Sequence, residues 1–290
     1  MKWIKHFIIQ YVGCIIPDKI WIEIMYIIHL HKIPNLKNPS TFNEKLQWLK
    51  LYYHKPEHTK LVDKYEMKKY VSDIAGNDLV VPVIGIWENV DDINFDVLPQ
   101  QFVLKVTHDS GGVIICKDKT QLDRDKTKKI LRGLLHTNYF KQYREWPYKN
   151  VKPRVFAEKY IEDCTGSQLR DYKVFCFNGI PYCIQVDFDR FTDHKKNLYD
   201  VNWSLLDFSF NYPAHPEIKI EKPQLLNKML DIANKLSHGE PYVRIDFYIA
   251  NDALYVGEIT FFPASGFGKF IPEEYDKILG DKISLPQKQL

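Results

Sequence analysis

Cysteine is sparse and unpaired in this chain of 290 residues. Cys14, Cys116, Cys164, Cys176 and Cys183 are odd in number, widely spaced and free of any Cys-x-x-Cys pair, which excludes a zinc ribbon and a disulfide framework. Such thiols suit a reducing cytoplasm. An excess of one charge is lacking too: 40 basic residues stand against 37 acidic ones, a net of +3, so no broad basic field argues for nucleic acid. The one compact basic run, Lys126-Thr127-Lys128-Lys129, reads as an exposed helix face. No uninterrupted apolar stretch spans a bilayer. The apolar first thirty residues are broken by Lys2, Lys5, His6, Asp18, Lys19 and Glu23, and no small-residue cleavage site follows, so neither a signal peptide nor a spanning helix is expected. That stretch has two readings, a helix packed on the body of the protein or an interfacial helix around Trp3, Ile4, Phe7, Ile8 and Tyr11 in peripheral contact with the inner face of a membrane. Gly-x-x-x-x-Gly-Lys-Ser/Thr, Gly-x-Ser-x-Gly and a Cys-His constellation are absent, so no Walker loop or protein nucleophile is indicated. Among the histidines, His29 and His31 stand alone, and His54 and His58, four apart, read as surface or packed histidines.

What is present is apolar material, 45% hydrophobic and 14% aromatic, enough for a large core. Residues 1–75 read as helices, with a start signal at Asn38-Pro39-Ser40-Thr41-Phe42-Asn43-Glu44-Lys45. From Leu79 the pattern changes to short apolar runs around Val83, Val103 and Ile114, separated by the polar loop Thr107-His108-Asp109-Ser110-Gly111-Gly112. A charged helical stretch runs from Leu122 to Lys141, followed by a strand at Arg154–Ile161 and a hairpin turning at Asn178-Gly179. Gln224 to Leu236 is an amphipathic helix, and a last hairpin turns at Asn251-Asp252. Helices packed on antiparallel hairpins in at least two lobes make the expected class α+β, divided at 1–75, 76–160 and 161–290.

The last hairpin carries the chemistry. In Val243-Arg244-Ile245-Asp246-Phe247 and Val256-Gly257-Glu258-Ile259-Thr260, the outer ends of two strands come opposite each other and set Arg244, Asp246 and Glu258 on one small surface. Two such carboxylates repel unless a cation lies between them, and oxygen ligands suit Mg²⁺ carrying a nucleotide polyphosphate; a solvated face with an Arg–Asp pair is the other reading. Lys105 ends an apolar strand ahead of Ser110-Gly111-Gly112, where an ammonium and backbone N–H groups can surround a phosphate, or the segment is a plain hairpin turn. Glu158-Lys159-Tyr160-Ile161 could line an adenine slot, with Asp171 as an acceptor for ribose hydroxyls.

Taken in order, these signals resemble the ATP-grasp family. The runs Asn38-Pro39-Ser40-Thr41-Phe42-Asn43-Glu44-Lys45-Leu46-Gln47-Trp48-Leu49-Lys50, Asp63-Lys64, Phe102-Val103-Leu104-Lys105 and Gly257-Glu258-Ile259-Thr260-Phe261-Phe262-Pro263-Ala264-Ser265-Gly266 are similar to its teichuronopeptide-biosynthesis branch, over residues 35–270. The resemblance implies two α+β lobes gripping ATP, with Lys105 on the phosphates, the 110–112 loop closing over them, Glu158, Lys159 and Ile161 about the adenine, and Asp171 on the ribose. Lys64 and Lys173 join that nucleotide set. Asp246 and Glu258 would ligate Mg²⁺ beside Arg244. Where such ligases carry asparagine two residues after the metal glutamate, this chain has Thr260, a shorter oxygen ligand, which leaves the number of Mg²⁺ ions open. The implied reaction joins an amino acid or amine to a uronic acid or other carboxylate of a bacterial surface polysaccharide through an acyl phosphate. Arg190 and Lys173 could meet the substrate carboxylate, or serve as surface charge.

Three other readings stand beside it. Asp187-Phe188-Asp189 is an Asp-x-Asp triplet after an apolar strand, as in a glycosyltransferase holding a metal-bound nucleotide sugar, although the N-terminal βαβ alternation of such domains is missing. An ATP-grasp phosphotransferase would use the same nucleotide site with a hydroxyl acceptor. A non-enzymatic ATP-binding scaffold would bind nucleotide without turnover.

Overall fold

The computed structural model describes residues 15–109, 111–162, 169–188 and 195–288. Helices come first, as the periodicity predicts: α1 (Asp18–Leu30), α2 (Phe42–Tyr52), α3 (Pro56–Val62) and α4 (Glu66–Ala75). The start of α2 is a reciprocal cap. Thr41 Oγ1 accepts from Glu44 N, and the Glu44 carboxylate takes the backbone N–H groups of Thr41, Ser40 and Asn35, the last two at 2.9 Å.

Four strands, β1 (Val83–Trp87), β2 (Phe102–Val106), β3 (Val113–Cys116) and β4 (Val155–Lys159), form an antiparallel sheet in the order β1-β4-β2-β3. One face, with Phe102, Leu104, Val106, Val155 and Ala157, packs against Ile93, Phe95, Leu98 and Leu131, the last from helix α5 (Arg124–Leu135). A short helix α6 (Tyr139–Tyr143) precedes β4.

The larger sheet has five antiparallel strands in the order β10-β9-β5-β6-β7. These are β5 (Asp171–Phe177), β6 (Ile180–Phe188), β7 (Lys195–Asp200), β9 (Tyr242–Ala250) and β10 (Ala253–Thr260). Strand β8 (Ser209–Phe210) pairs instead with β11 (Phe270–Ile271), and helices α7 (Leu226–Ser237) and α8 (Glu274–Asp281) complete the chain. Both hairpin signals form turns with two left-handed residues where needed, at Asn178-Gly179 and at Asn251-Asp252. One core joins Phe42, Leu46 and Leu49 of α2 and Val71 of α4 to Phe175, Tyr242 and Ile245 of the large sheet and Met229 of α7. We propose the division at 76 and 161 on the sheets: the four small-sheet strands lie within 76–160, the five large-sheet strands within 161–290, and the helices of 42–75 share the large sheet's core. The cysteines in the described part, Cys116, Cys176 and Cys183, are buried and free.

Candidate active site

The open face of the small sheet is set by strand alternation. Register pairs Lys105 with Val113 and Phe156, and Val103 with Ile115 and Glu158, so all six share a side. Glu158 is buried there with both oxygens engaged: Oε1 meets Lys105 Nζ, and Oε2 lies 2.9 Å from Lys68 Nζ on α4. Burial opposes its charge, but Lys105 and Lys68 outweigh burial and hold the carboxylate below its ordinary range. Lys68, which also donates to Val81 O at 3.0 Å, has its own proton affinity lowered by burial. Val113 and Ile115 stay exposed beside Lys105. An ammonium next to an apolar strip can take a phosphate and a flat heterocycle together.

Lys64 reaches the glycine loop directly, its Nζ donating to Asp109 O and its backbone N–H to Thr107 O at 3.1 Å. Gly112 has φ +58°, and a Cβ there would meet Val106 Cγ2 at 2.6 Å, so the turn needs glycine; Gly111 borders open space. Ser110 lies outside the described residues. Lys159 is exposed and, with Tyr160, lines a cavity of about 890 Å³ at the far end of the sheet; its backbone N–H bonds Pro82 O at 3.0 Å. Ile161, half-buried, continues that segment.

On the large sheet the hairpin places Glu258 directly across from Asp246, and Thr260 across from Arg244. The cause is a bulge at Gly257: the pairs from Ala253↔Ala250 to Val256↔Phe247 would otherwise run on to set Gly257 against Asp246 and Glu258 on the apolar side. Glycine fits because the Tyr248 ring covers the position, 3.2 Å from where a Cβ would stand. Asp246 is buried and gripped in a fork by Arg244, Nε to Oδ1 at 2.6 Å and Nη2 to Oδ2 at 2.7 Å, with Lys173 Nζ at 3.2 Å. Burial opposes the Asp246 charge, yet Arg244 and Lys173 prevail and depress its pKa. Arg244 Nη2 also lies 3.4 Å from Thr260 Oγ1. Lys173 is buried among Asp171, Asp246 and Asp187, which place it in the hairpin's charge network. For Asp171, burial dominates and raises the pKa against the pull of Lys173.

Two tyrosines that the sequence reading passed over join the halves. Tyr148 is buried, and after burial itself the carboxylates that raise its pKa include Glu258 of the large sheet and Asp109 of the glycine loop. Tyr248 feels Glu158 of the small sheet and Asp171 of the large one in the same way. Tyr148 is thus within electrostatic reach of the glycine loop and of the hairpin, and Tyr248 within reach of both sheets. Lys68 was also missed: it lies on α4, whereas Lys64 sits in the turn before that helix, so no helical spacing links the two. Of the Asp-x-Asp pair, Asp187 is buried and tied to Gln185 Nε2 at 2.6 Å, Lys173 at 3.8 Å and Lys196 at 3.9 Å, while Asp189 and Arg190 lie outside the described residues. His54 stacks on Trp146, and His58 packs on Phe261 with Glu240 3.0 Å away.

A family model described as TupA-like ATP-grasp matches residues 44–284. The chain belongs to the TupA-like ATP-grasp family. Its helices and antiparallel sheets are the α+β fold expected of that family. Comparison with curated proteins finds no match. Among solved structures the chain is similar to D-alanine–D-alanine ligase from Bacillus anthracis complexed with ATP (20% identity, TM-score 0.41, 70% of this chain and 54% of that one). It is similar also to D-alanine–D-alanine ligase from Helicobacter pylori (16%, 0.41, 84% and 70%) and phosphoribosylamine–glycine ligase from Thermotoga maritima (13%, 0.44, 70% and 48%). The chain thus spans about half the length of the first.

The hairpin's donors suit Mg²⁺: two opposed carboxylates and a hydroxyl are hard oxygen ligands, and such an ion draws its other ligands from phosphate and water. Among the described residues no group of three or more His, Cys, Asp or Glu side chains is arranged to hold a metal ion.

Proposed function

We propose that the chain is an ATP- and Mg²⁺-dependent carboxylate–amine ligase of the cytoplasm that forms an amide through an acyl phosphate. The observation that carries this reading is the placement of Glu258 across from Asp246, beside the Arg244 fork. Amide formation from a carboxylate is uphill until its oxygen becomes a better leaving group, and phosphorylation by ATP provides one. Mg²⁺, held by Asp246 and Glu258 with Thr260 in reach, would neutralise polyphosphate charge. Lys105 and Lys64 bind phosphate at the loop, and Arg244 offsets negative charge on the phosphorylated carboxylate. The loop of 107–112 excludes the water that would hydrolyse it. Lys173 keeps Asp246 ionised, and Asp171 offers ribose an acceptor. The family likeness supports a uronic acid or other carboxylate of a bacterial surface polysaccharide as acceptor and an amino acid or amine as the attacking group.

The test uses purified protein with ATP, Mg²⁺, a panel of uronic acids and hydroxylamine as a surrogate amine. ADP release coupled to hydroxamate supports the ligase. ADP with a phosphorylated sugar and no hydroxamate replaces it with a phosphotransferase. Calorimetric binding of UDP-sugars in place of an ATP analogue would move the site to Asp187 and Asp189. Glu258→Gln is expected to lower turnover by about 100-fold or more with the fold intact, since it removes a charge at nearly constant volume; undiminished turnover would sink the metal assignment.

A further inference from the structure

Two sequence runs lie outside the proposed chemistry, residues 38–50 and 261–266, and the fold brings them together. Asn43, Gln47 and Lys50 recur at i, i+4 and i+7 on α2, within an arc of about 60° around the helix. The packed face of a helix is ordinarily apolar, yet these three polar side chains are only 1%, 0% and 2% exposed. Each donates to the backbone of the segment that follows β10. Asn43 Nδ2 donates to Gly268 O at 2.8 Å, and Asn43 Oδ1 accepts from Gly268 N at 3.1 Å. Gln47 Nε2 donates to Gly266 O at 2.6 Å and to Ser265 O at 3.1 Å, and Lys50 Nζ donates to Ser265 O at 2.6 Å.

The clasped segment is strained. Ala264 and Ser265 have φ +49° and +53°, in the left-handed region that residues with a Cβ seldom occupy, and Gly266 continues the turn at +65°. A Cβ at Gly266 would stand 2.4 Å from Gln47 Nε2, so the clasp itself requires glycine there. Ser265 Oγ also donates to the buried Glu145 Oε1 at 2.6 Å, and Glu258 of the hairpin is close enough to add to the rise that burial causes in the Glu145 pKa. Buried polar donors and a left-handed turn are costly where apolar packing would serve. The position of β10 gives them a use. It is an edge strand, laddered to β9 on one side, bulged just before Glu258, and its pairing ends at Thr260 against Arg244. Beyond Thr260 the chain is held by α2 in place of a sheet.

We propose that Asn43, Gln47 and Lys50 are positioning residues for the metal site: by clasping 265–268 they fix the end of β10, so that Glu258 and Thr260 keep their places opposite Asp246 and Arg244. The inference rests on the reading of Glu258 as a Mg²⁺ ligand. The experiment is calorimetric titration of the full chain with a non-hydrolysable ATP analogue, in Mg²⁺ and in EDTA, for wild type and for Gln47→Met, a change of similar volume that removes the donor to Gly266 O. Mg²⁺ is expected to tighten binding to wild type, and that gain to fall by about tenfold or more in Gln47→Met while the affinity in EDTA stays unchanged. A purely structural loss would weaken both affinities together. An undiminished Mg²⁺ gain in Gln47→Met, or equal weakening with and without Mg²⁺, overturns the positioning role and leaves the metal reading standing; no Mg²⁺ gain in wild type overturns both. Should Gln47→Met fail to fold, hydrogen exchange of the wild-type chain decides: amides of 261–268 exchanging as slowly as those of β9 support the clasp, and exchange there at the rate of exposed loops overturns it.

Discussion

Glu158 is a buried acid kept ionised by two lysines, and those lysines are held in place by it. Glu158→Gln leaves Lys68 and Lys105 without a counter-charge, a loss expected to cost about 2–3 kcal/mol in urea unfolding and to weaken nucleotide binding as Lys105 loses its position. The sign of its pH dependence follows from the depressed pKa. An unfolded glutamate takes up a proton near 4.5 while the native one resists it, so the unfolded chain binds more protons below that pH. The stabilisation is complete above 4.5 and is lost as pH falls through the native value. Urea midpoints measured between about pH 3 and 6 are expected to decline less steeply in Glu158→Gln than in wild type. In the sequence Glu158 had the look of an adenine contact; its partner Lys68 is 90 residues away, and no local pattern shows such a pairing.

Among the elements, α8 and the start of α2 approach more closely than side chains allow. A Cβ at Gly280 would lie 2.5 Å from Ser40 O and 2.6 Å from Phe42 N and Thr41 C, all backbone atoms. Gly280→Ala is therefore expected to push α8 away from the capped end of α2 and to cost about 2 kcal/mol, read as a lower urea midpoint with unchanged slope. Elements of this kind were legible early. The cap at Thr41-x-x-Glu44, the Asn178-Gly179 and Asn251-Asp252 turns and the alternation of Val243–Phe247 depend on neighbouring residues, so the sequence carries them locally. Strand ends were less legible. The stretch Arg154–Ile161 read as one strand, but β4 stops at Lys159, where the sheet runs out of partners. The helical run from Leu122 to Lys141 breaks after Leu135 into α5 and α6.

In the molecule as a whole, each sheet has its own hydrophobic core, and Tyr248 lies within electrostatic reach of Glu158 on the small sheet and Asp171 on the large one. A nucleotide at the proposed site has to touch both sheets. Hydrogen exchange is expected to slow on adding a non-hydrolysable ATP analogue with Mg²⁺ in both 102–116 and 244–260; protection of one stretch alone would contradict a site shared by the two sheets. This convergence was hidden in the sequence, because Asp109 and Glu258 are 149 positions apart and only the fold brings both to Tyr148. The family motifs named the residues; tertiary packing alone decides which of them come together.

The bulge at Gly257 has a consequence of parity. Across a two-residue turn such as Asn251-Asp252, residues that face each other are an odd number of positions apart, as Ala250 and Ala253 are. Asp246 and Glu258 are separated by twelve, an even number, and face each other only because one strand carries a supernumerary residue. Removing Gly257 would leave the two acids eleven positions apart, the odd count at which an unbulged hairpin sets them face to face. The interval between the two acids is thus as much a part of the site as the acids themselves: loss of Gly257 is expected to keep them opposed, whereas one further residue between them would set the glutamate against Ile245 and is expected to silence the site.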